Sequence, residues 1–323
     1  MTLVRSGDKK KIILGLKLAR GYRITHLSPD FAKLVPATTD ESIIREIITT
    51  LSHQPQGFAQ LFLAIINESS HSQSLRTKAL AALVQAQHIK AAPTVIKALT
   101  EAPEQKSSIL SALGGSTQGC QLLIHLVDTK QIQATDISLP IAQRIFHIAA
   151  KNPTAQAINQ QAEDKKKANV NNAMARIPAL EEVSNSNSGN HIVGQSLFAG
   201  MCLSCHVVGD QGAGVGPALD GSSERDTDHL LTAILNPDAA AESAYILFRT
   251  IESSGLITEG LKARQDQRGT SIAHQGGMIT YVPKRTIREE HHAGSTSFMP
   301  TGLIDSMPDE TIAHLLAYIK TLK

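Results

Sequence analysis

Residues 202–206 read Cys-Leu-Ser-Cys-His, and no other stretch narrows the options of this chain as much. Two thiols one helical turn apart can add to the two vinyl groups of a single porphyrin. The imidazole that follows directly is carried under the ring, where it can ligate the iron. The C-x-x-C-H pattern therefore predicts one covalently attached haem c, with Cys202 and Cys205 as the attachment points and His206 as an axial ligand. A redox dithiol belongs beside a βαβ pattern, whereas the flanks here are helical and glycine-rich. A structural zinc site needs four ligands, and the one further cysteine, Cys120, stands alone in a helical run. Cys120 reads as a small buried hydrophobe, and no disulfide framework is implied.

At 323 residues the chain is long enough for two domains with their own cores. Aromatic residues make up 3% and tryptophan is absent, so the cores are aliphatic and a haem pocket depends on few rings. The net charge of +2 hides an asymmetry. Residues 1–189 carry 21 basic against 14 acidic side chains, and residues 190–323 carry 10 against 15. That sign change is compatible with two units of different surface character. The basic half lacks interleaved aromatics, which argues against nucleic-acid binding.

No apolar run reaches the length of a membrane span. Ile12–Ala19 follows the basic cluster Lys9-Lys10-Lys11, as a signal peptide would. Arg20-Gly21-Tyr22-Arg23 offers no small-residue cleavage site, so the segment reads as an amphipathic helix. Haem is ordinarily attached to C-x-x-C-H outside the cytoplasm. The expected location is thus periplasmic or otherwise extracytoplasmic, with this sequence a mature or excised segment of a longer chain.

Residues 1–180 repeat a pattern of paired short helices. Helical spacing of apolar residues predicts helices over 40–51, 57–66, 73–86, 93–99, 104–113, 117–127 and from 138 onward. Pro93 suits the first turn of its helix. The period of thirty-odd residues lies in the range of helical solenoids. This pattern resembles HEAT-like α-solenoid repeats over about residues 38–165, a scaffold whose core comes from stacking. His26, His53, His71, His88, His125 and His147 are scattered without ligand spacing. Beyond a solvated charge run at 163–167, the polar stretch 184–190 reads as flexible, and residues 181–190 as a linker.

Residues 191–323 form the haem module. Gly194, Leu197, Phe198 and Met201 recur at helical spacing into the motif. A final helix over 309–322, with Ile312, Leu315, Leu316 and Ile319 on one side, begins at the capping-box-like Ser306-Met307-Pro308-Asp309. Between them, hairpin signals at 253–255, 266–269 and 276–277 separate strands near 245–251, 256–263, 270–274 and 278–282. The expected fold is mainly α, with a small antiparallel sheet at about 244–290 inserted in the haem module.

The pairing of first and last helices resembles that of class I cytochromes c. On that resemblance Gly194 permits close approach, and Phe198 and Tyr318 fill the contact. The segment Gly216-Pro217-Ala218-Leu219 is similar to their G-P-x-L stretch, which implies that the Pro217 carbonyl accepts the hydrogen bond of the imidazole Nδ1. Ser297-Phe298-Met299-Pro300 matches their M-P pattern and implies Met299 as sixth ligand, a soft thioether that raises the potential. Met278, His274, His291 and His292 are the other candidates. Taken together, residues 192–323 resemble the haem-binding domain of planctomycete–verrucomicrobial type. The matching runs are C-L-S-C-H, G-V-G-P-A-L, H-L-L-T-A-I-L-N-P-D-A, G-L-I-T-E-G, S-F-M-P-T-G-L and H-L-L-A-Y-I. Phe298 stands where that family usually has leucine. The resemblance implies cofactor contacts from Gly216, Pro217, Leu219, Phe198 and Phe298. It also implies a redox partner, or a fused dehydrogenase domain in a longer parent chain.

The functional expectation is an electron-transfer module, not an enzyme in its own right. The alternatives are a peroxidase-like haem enzyme and a haem-based gas sensor, each needing a labile sixth ligand. No nucleophile elbow, Walker loop or H-E-x-x-H zinc motif occurs.

Overall fold

The computed structural model describes residues 2–22, 24–186 and 189–323. Positions 187 and 188 of the expected linker, and Arg23, lie outside the described residues. The chain is mainly helical with an antiparallel sheet, and it divides into two compact units. Unit 1 is Met1–Glu163 with Ile251–Ile257 and Thr286–Arg288, and unit 2 is Asp164–Thr250, Thr258–Arg285 and Glu289–Lys323.

Unit 1 contains α1 (Lys9–Gly21), α2 (Ser28–Ala32), α3 (Glu41–Leu51), α4 (Ala59–Asn67), α5 (Gln73–Gln87), α6 (Ala92–Glu101), α7 (Lys106–Leu113), α8 (Thr117–Asp128) and α9 (Leu139–Ile148). It also contains the start of α10 (Pro153–Met174). The caps are local and legible. Asp40 accepts from Ser42 N at 2.9 Å to open α3, Ser72 from Leu75 N at 3.3 Å to open α5, and Ser116 from Gly119 N at 3.0 Å to open α8. Pro93 occupies the first turn of α6. α3 buries Ile43, Ile44, Ile47, Ile48 and Leu51, and α8 buries Leu122, Leu123 and Leu126. Each such side chain contributes roughly 1.5–3 kcal/mol of transfer free energy. α4 packs on α5, α5 on α7 and α8, and α8 on α9, so one aliphatic core runs through the unit. Cys120 is fully buried in it.

Unit 2 takes the rest of α10, then α11 (Ile177–Asn185), α12 (His191–Met201), α13 (Thr227–Leu235), α14 (Pro237–Ala240) and α15 (Asp309–Ile319). The unit boundary follows Glu163, earlier than the position 180 read from sequence. The charge run 163–167 lies within α10, and residues 177–185 are helical. Leu180 is fully buried in the unit 2 core with Phe198, Leu231, Ile312 and Leu316, which draws this stretch into the unit.

α12 is capped by Asn190, whose side chain accepts from Ile192 N and Val193 N. It crosses α15 at Gly194, where an added Cβ would stand 1.9 Å from the His314 carbonyl oxygen. The Phe198 and Tyr318 rings meet at this crossing with centroids 5.1 Å apart. The capping box expected at Ser306–Asp309 does not form: Pro308 is the N-cap and no side chain caps the helix. Instead the Arg176 guanidinium donates to the carbonyls of Asp305 (2.9 Å) and Met307 (2.7 Å) and to the Asp309 carboxylate (2.5 Å).

A two-stranded ribbon, β1 (Val207–Val208) and β2 (Gln211–Gly212), follows the cysteine motif. Five further strands form one sheet in the order β6-β5-β4-β3-β7: β3 (Ile246–Glu252), β4 (Ile257–Asp266), β5 (Gly269–Ala273), β6 (Ile279–Pro283) and β7 (Ile287–Ser297). Leu261 faces Ala273 across β4 and β5, with a register shift between Lys262 and Arg264, and Thr270 faces Val282 across β5 and β6. The sheet therefore extends to Ser297, past the expected limit near 290. β7 is its longest strand and lacks apolar alternation, so hydrophobic patterning passes over it.

Candidate haem-attachment site

The cysteine motif begins where α12 ends. Cys202 is the C-cap, and its carbonyl accepts from Cys205 N (3.0 Å) and His206 N (2.8 Å), closing a tight turn that brings the imidazole round. Cys202 and Cys205 are half-buried and not joined in a disulfide. Burial, and then the neighbouring Cys205, push the Cys202 thiol up to about 11, so it is held as the neutral thiol.

The glycine-rich segment is laced back along this turn. Ala213 N donates to Leu203 O (3.0 Å), Val215 N and Gly216 N both donate to Cys205 O (2.8 and 2.7 Å), and Leu219 N donates to Val207 O (2.9 Å). Two glycines make this approach possible. At Gly212, with φ +109°, a Cβ would stand 2.0 Å from the His206 carbonyl oxygen. At Gly216 a Cβ would press on the imidazole itself, 3.0 Å from Cε1 and Nδ1. The result is that His206 Nδ1 lies 2.8 Å from the Pro217 carbonyl oxygen. A carbonyl only accepts, so Nδ1 carries the proton and Nε2 keeps its lone pair. No hydrogen-bond partner for Nε2 is present among the described residues. Two free cysteines one turn apart and an oriented imidazole with one nitrogen available are what covalent haem attachment requires, and the residues fit that group.

The other residues singled out from sequence are placed as follows. Phe198 is buried against Tyr318, and Leu219 is half-buried against the unit 2 core. Phe298 and Met299 are half-buried in the loop after β7. Phe298 N donates to Tyr245 O (2.9 Å), Met299 N to Ser297 Oγ (3.1 Å), and Ser297 N to the Asp238 carboxylate (2.8 Å). Asp238 is itself paired with Lys166. Among the alternative ligands, Met278 is 71% exposed. His274 Nε2 is engaged with Thr280 Oγ1 at 2.8 Å, and burial holds its pKa below the usual value. His292 stands edge-on to the Phe248 ring, and His291 lies 3.4 Å from the Glu289 carboxylate.

Sequence reading missed one support. Gly276 N, in the turn between β5 and β6, donates to Ser204 O inside the motif at 2.7 Å, and Gly277 comes close to Ala213. The Gly-Gly pair marked the turn, but its target is some seventy positions away and carries no sequence signal.

Residues 193–248 match the family model for cytochrome c. The match covers α12, the cysteine motif, the glycine-rich segment, α13, α14 and the start of β3. The chain thus carries a cytochrome c domain, a type of domain that binds haem c and serves haem-based electron transfer. No curated protein matches the chain. No helix among the described residues is long and apolar enough to cross a membrane.

Proposed function

We propose that this protein is a c-type cytochrome that moves single electrons, with one haem bound through Cys202 and Cys205 and held axially by His206 and Met299. The observation that carries the reading is the 2.8 Å contact between His206 Nδ1 and the Pro217 carbonyl oxygen. It fixes the tautomer, aims Nε2 and raises the donor strength of the imidazole. A haem bound there supplies reversible one-electron iron chemistry. Gly212 and Gly216 keep the proline carbonyl in reach, and Cys202 stays a neutral thiol until a thioether bond forms.

Met299 is assigned as the opposite donor. Its loop is anchored at Ser297 by Asp238 and at Phe298 by the Tyr245 carbonyl, so the thioether is presented from a fixed base. Pro300 stiffens the chain directly after it. A soft thioether favours the ferrous state, which suits a carrier working at higher potential. With His206 and Met299 both holding a haem, the group would supply electron transfer and would leave no position for substrate. Unit 1 serves in this reading as a HEAT-like solenoid that docks a redox partner, either a separate dehydrogenase or a dehydrogenase domain of the same parent chain. The setting is periplasmic or otherwise extracytoplasmic.

The test is the optical spectrum of oxidised and reduced protein, matured in a host able to attach haem c, for wild type and Met299→Ala. The wild type is expected to be six-coordinate low-spin in both states, with a sulfur-to-ferric charge-transfer band that the variant loses. A colourless wild type overturns the cytochrome reading. A spectrum unchanged by the substitution overturns the axial assignment of Met299.

A further inference from the structure

Unit 1 contains a cavity of about 730 Å³ bounded by α3, α5 and α7. That volume is typical of small-molecule sites. Its walls are unusual for helix surfaces, which ordinarily carry mixed charges of both signs. Here α7 contributes Ser107, Ser108 and Ser111, α5 contributes Thr77 and Lys78, and α3 contributes Arg45. Among the described residues no carboxylate lines the cavity, and the formal charges on its wall, Arg45 and Lys78, are positive. Short hydroxyl side chains at these positions are what leave the space open.

The polar groups are also unspent. Thr77, Ser107, Ser108 and Ser111 make no side-chain hydrogen bond among the described residues. Arg45 makes one, from Nη2 to Ser74 Oγ at 3.3 Å, and among the described residues no carboxylate lies within ion-pair distance of Arg45 or Lys78. Glu46 acts on Lys78 at longer range but is paired with Arg20. Burial, and then the Arg45 charge, hold the Lys78 amine below its usual range. Two half-buried cations that repel one another across a wall of idle hydroxyls are relieved by an anion.

We propose that this cavity binds a small oxyanion-bearing molecule, with Arg45 and Lys78 taking a carboxylate or phosphate group and Thr77, Ser108 and Ser111 taking polar groups on its body. Guanidinium and ammonium together give charge-assisted bonds to such a group. The α7 hydroxyls face it from the other wall and donate or accept as the ligand requires.

The test is isothermal titration of the full-length holoprotein with inorganic phosphate and, separately, with citrate at low ionic strength. One-site saturable binding of at least one probe is expected. A response to phosphate alone assigns phosphate chemistry, a response to citrate alone assigns carboxylate chemistry, and both together support the shared oxyanion. Arg45→Gln and Lys78→Gln are each expected to weaken binding about tenfold or more, the loss typical of one charge-assisted bond. Lys97→Gln, which removes an exposed lysine paired with Glu101 on α6, is expected to leave binding unchanged. Because Lys78 is half-buried, Ser108→Asp is the companion variant. Ser108 is exposed, and a carboxylate placed there is expected to abolish binding while the thermal melt stays at the wild-type temperature. Absence of saturable binding by both probes, or an affinity unaltered by Lys78→Gln and Ser108→Asp, overturns the proposal.

Discussion

Gly194→Ala probes the crossing of α12 and α15, on which the cytochrome end of the chain depends. An alanine Cβ at this position would stand 1.9 Å from the His314 carbonyl oxygen, 2.7 Å from its carbon and 2.9 Å from Tyr318 Cβ. Cβ atoms essentially never come nearer than 3.0 Å to another heavy atom, so the helices must separate by at least 1.1 Å along that contact. The obstacle is backbone, which no rotamer change can clear. Separation loosens Phe198, Ile312 and Leu316, all of them buried at the interface. Overpacking of this kind costs about 1–3 kcal/mol, and a backbone obstacle belongs at the upper end. Gly200, later in the same helix, has nothing within 4 Å of its Cβ position. Alanine there gains about 0.5–1 kcal/mol of helix propensity, as it would at Gly194 without the collision. The two variants should therefore differ by roughly 2–4 kcal/mol. Guanidinium unfolding of wild type, Gly194→Ala and Gly200→Ala, followed by far-ultraviolet circular dichroism, measures that gap. Variants equal within about 0.5 kcal/mol, the scatter of neutral substitutions, would refute the close-approach argument.

Gly212→Ala should remove the lacing of residues 213–219 to the motif, because its Cβ meets the His206 carbonyl oxygen at 2.0 Å and its φ is +109°. The expected result is a lower melting temperature and a shifted reduction potential, whereas Gly200→Ala raises the melt slightly and leaves the potential where it is. Gly255 has φ +91°, and alanine there should cost about 1–2 kcal/mol in thermal unfolding from left-handed strain alone. An unchanged melt would mean the turn can flip at no cost. Arg249 and Glu259 form a buried ion pair at 2.5 Å, so Arg249→Met should cost about 3–5 kcal/mol, while Arg249→Met with Glu259→Met should recover most of that loss. A double variant as unstable as the single one would count against the ion-pair account. The Ser72 hydroxyl, then its backbone N–H, hold the Glu41 carboxyl below the usual carboxylate range. A lowered carboxylate stabilises the fold above its unfolded pKa, and that contribution is lost as pH falls through its folded value. Ser72→Ala should move the Glu41 titration seen by NMR upward, and Glu41→Gln should flatten the acid limb of the stability profile. A Glu41 titration that stays put in Ser72→Ala would sink this assignment.

Most of the helices were legible because their signals are local. The apolar spacing of Ile43, Ile44, Ile47, Ile48 and Leu51, with Asp40 ahead of it, is enough to place α3 within a residue. The four strands found from sequence carry turn residues at both ends. β7 could not be found this way. Its side chains are largely polar because its place is secured by pairing with β3 and by polar contacts such as Glu290 with Thr270 Oγ1 and Gln265 Nε2. The start of α15 misled for a related reason. Ser306 lies two residues ahead of the N-cap Pro308, out of register for a capping box, and the carbonyls of Asp305 and Met307 are held by Arg176, more than 120 positions earlier, a distant donor that leaves no mark in a local pattern.

The attachment site divides along the same line. Its chemistry is contiguous, so five residues suffice to name thiols and imidazole. Its orientation is not, because aiming one nitrogen of His206 requires a carbonyl from eleven residues on. The glycines of the intervening run are unequal in this task. Gly209 has open space where a Cβ would go, and Gly214 only ordinary contact with Val207 at 3.4 Å. Gly212 and Gly216 instead face the His206 carbonyl and ring, so any side chain there displaces the strand that delivers Pro217. Read from sequence, all of them are simply flexible positions. In the fold, two of them set the distance between a carbonyl and an imidazole, and through it the donor strength of Nε2.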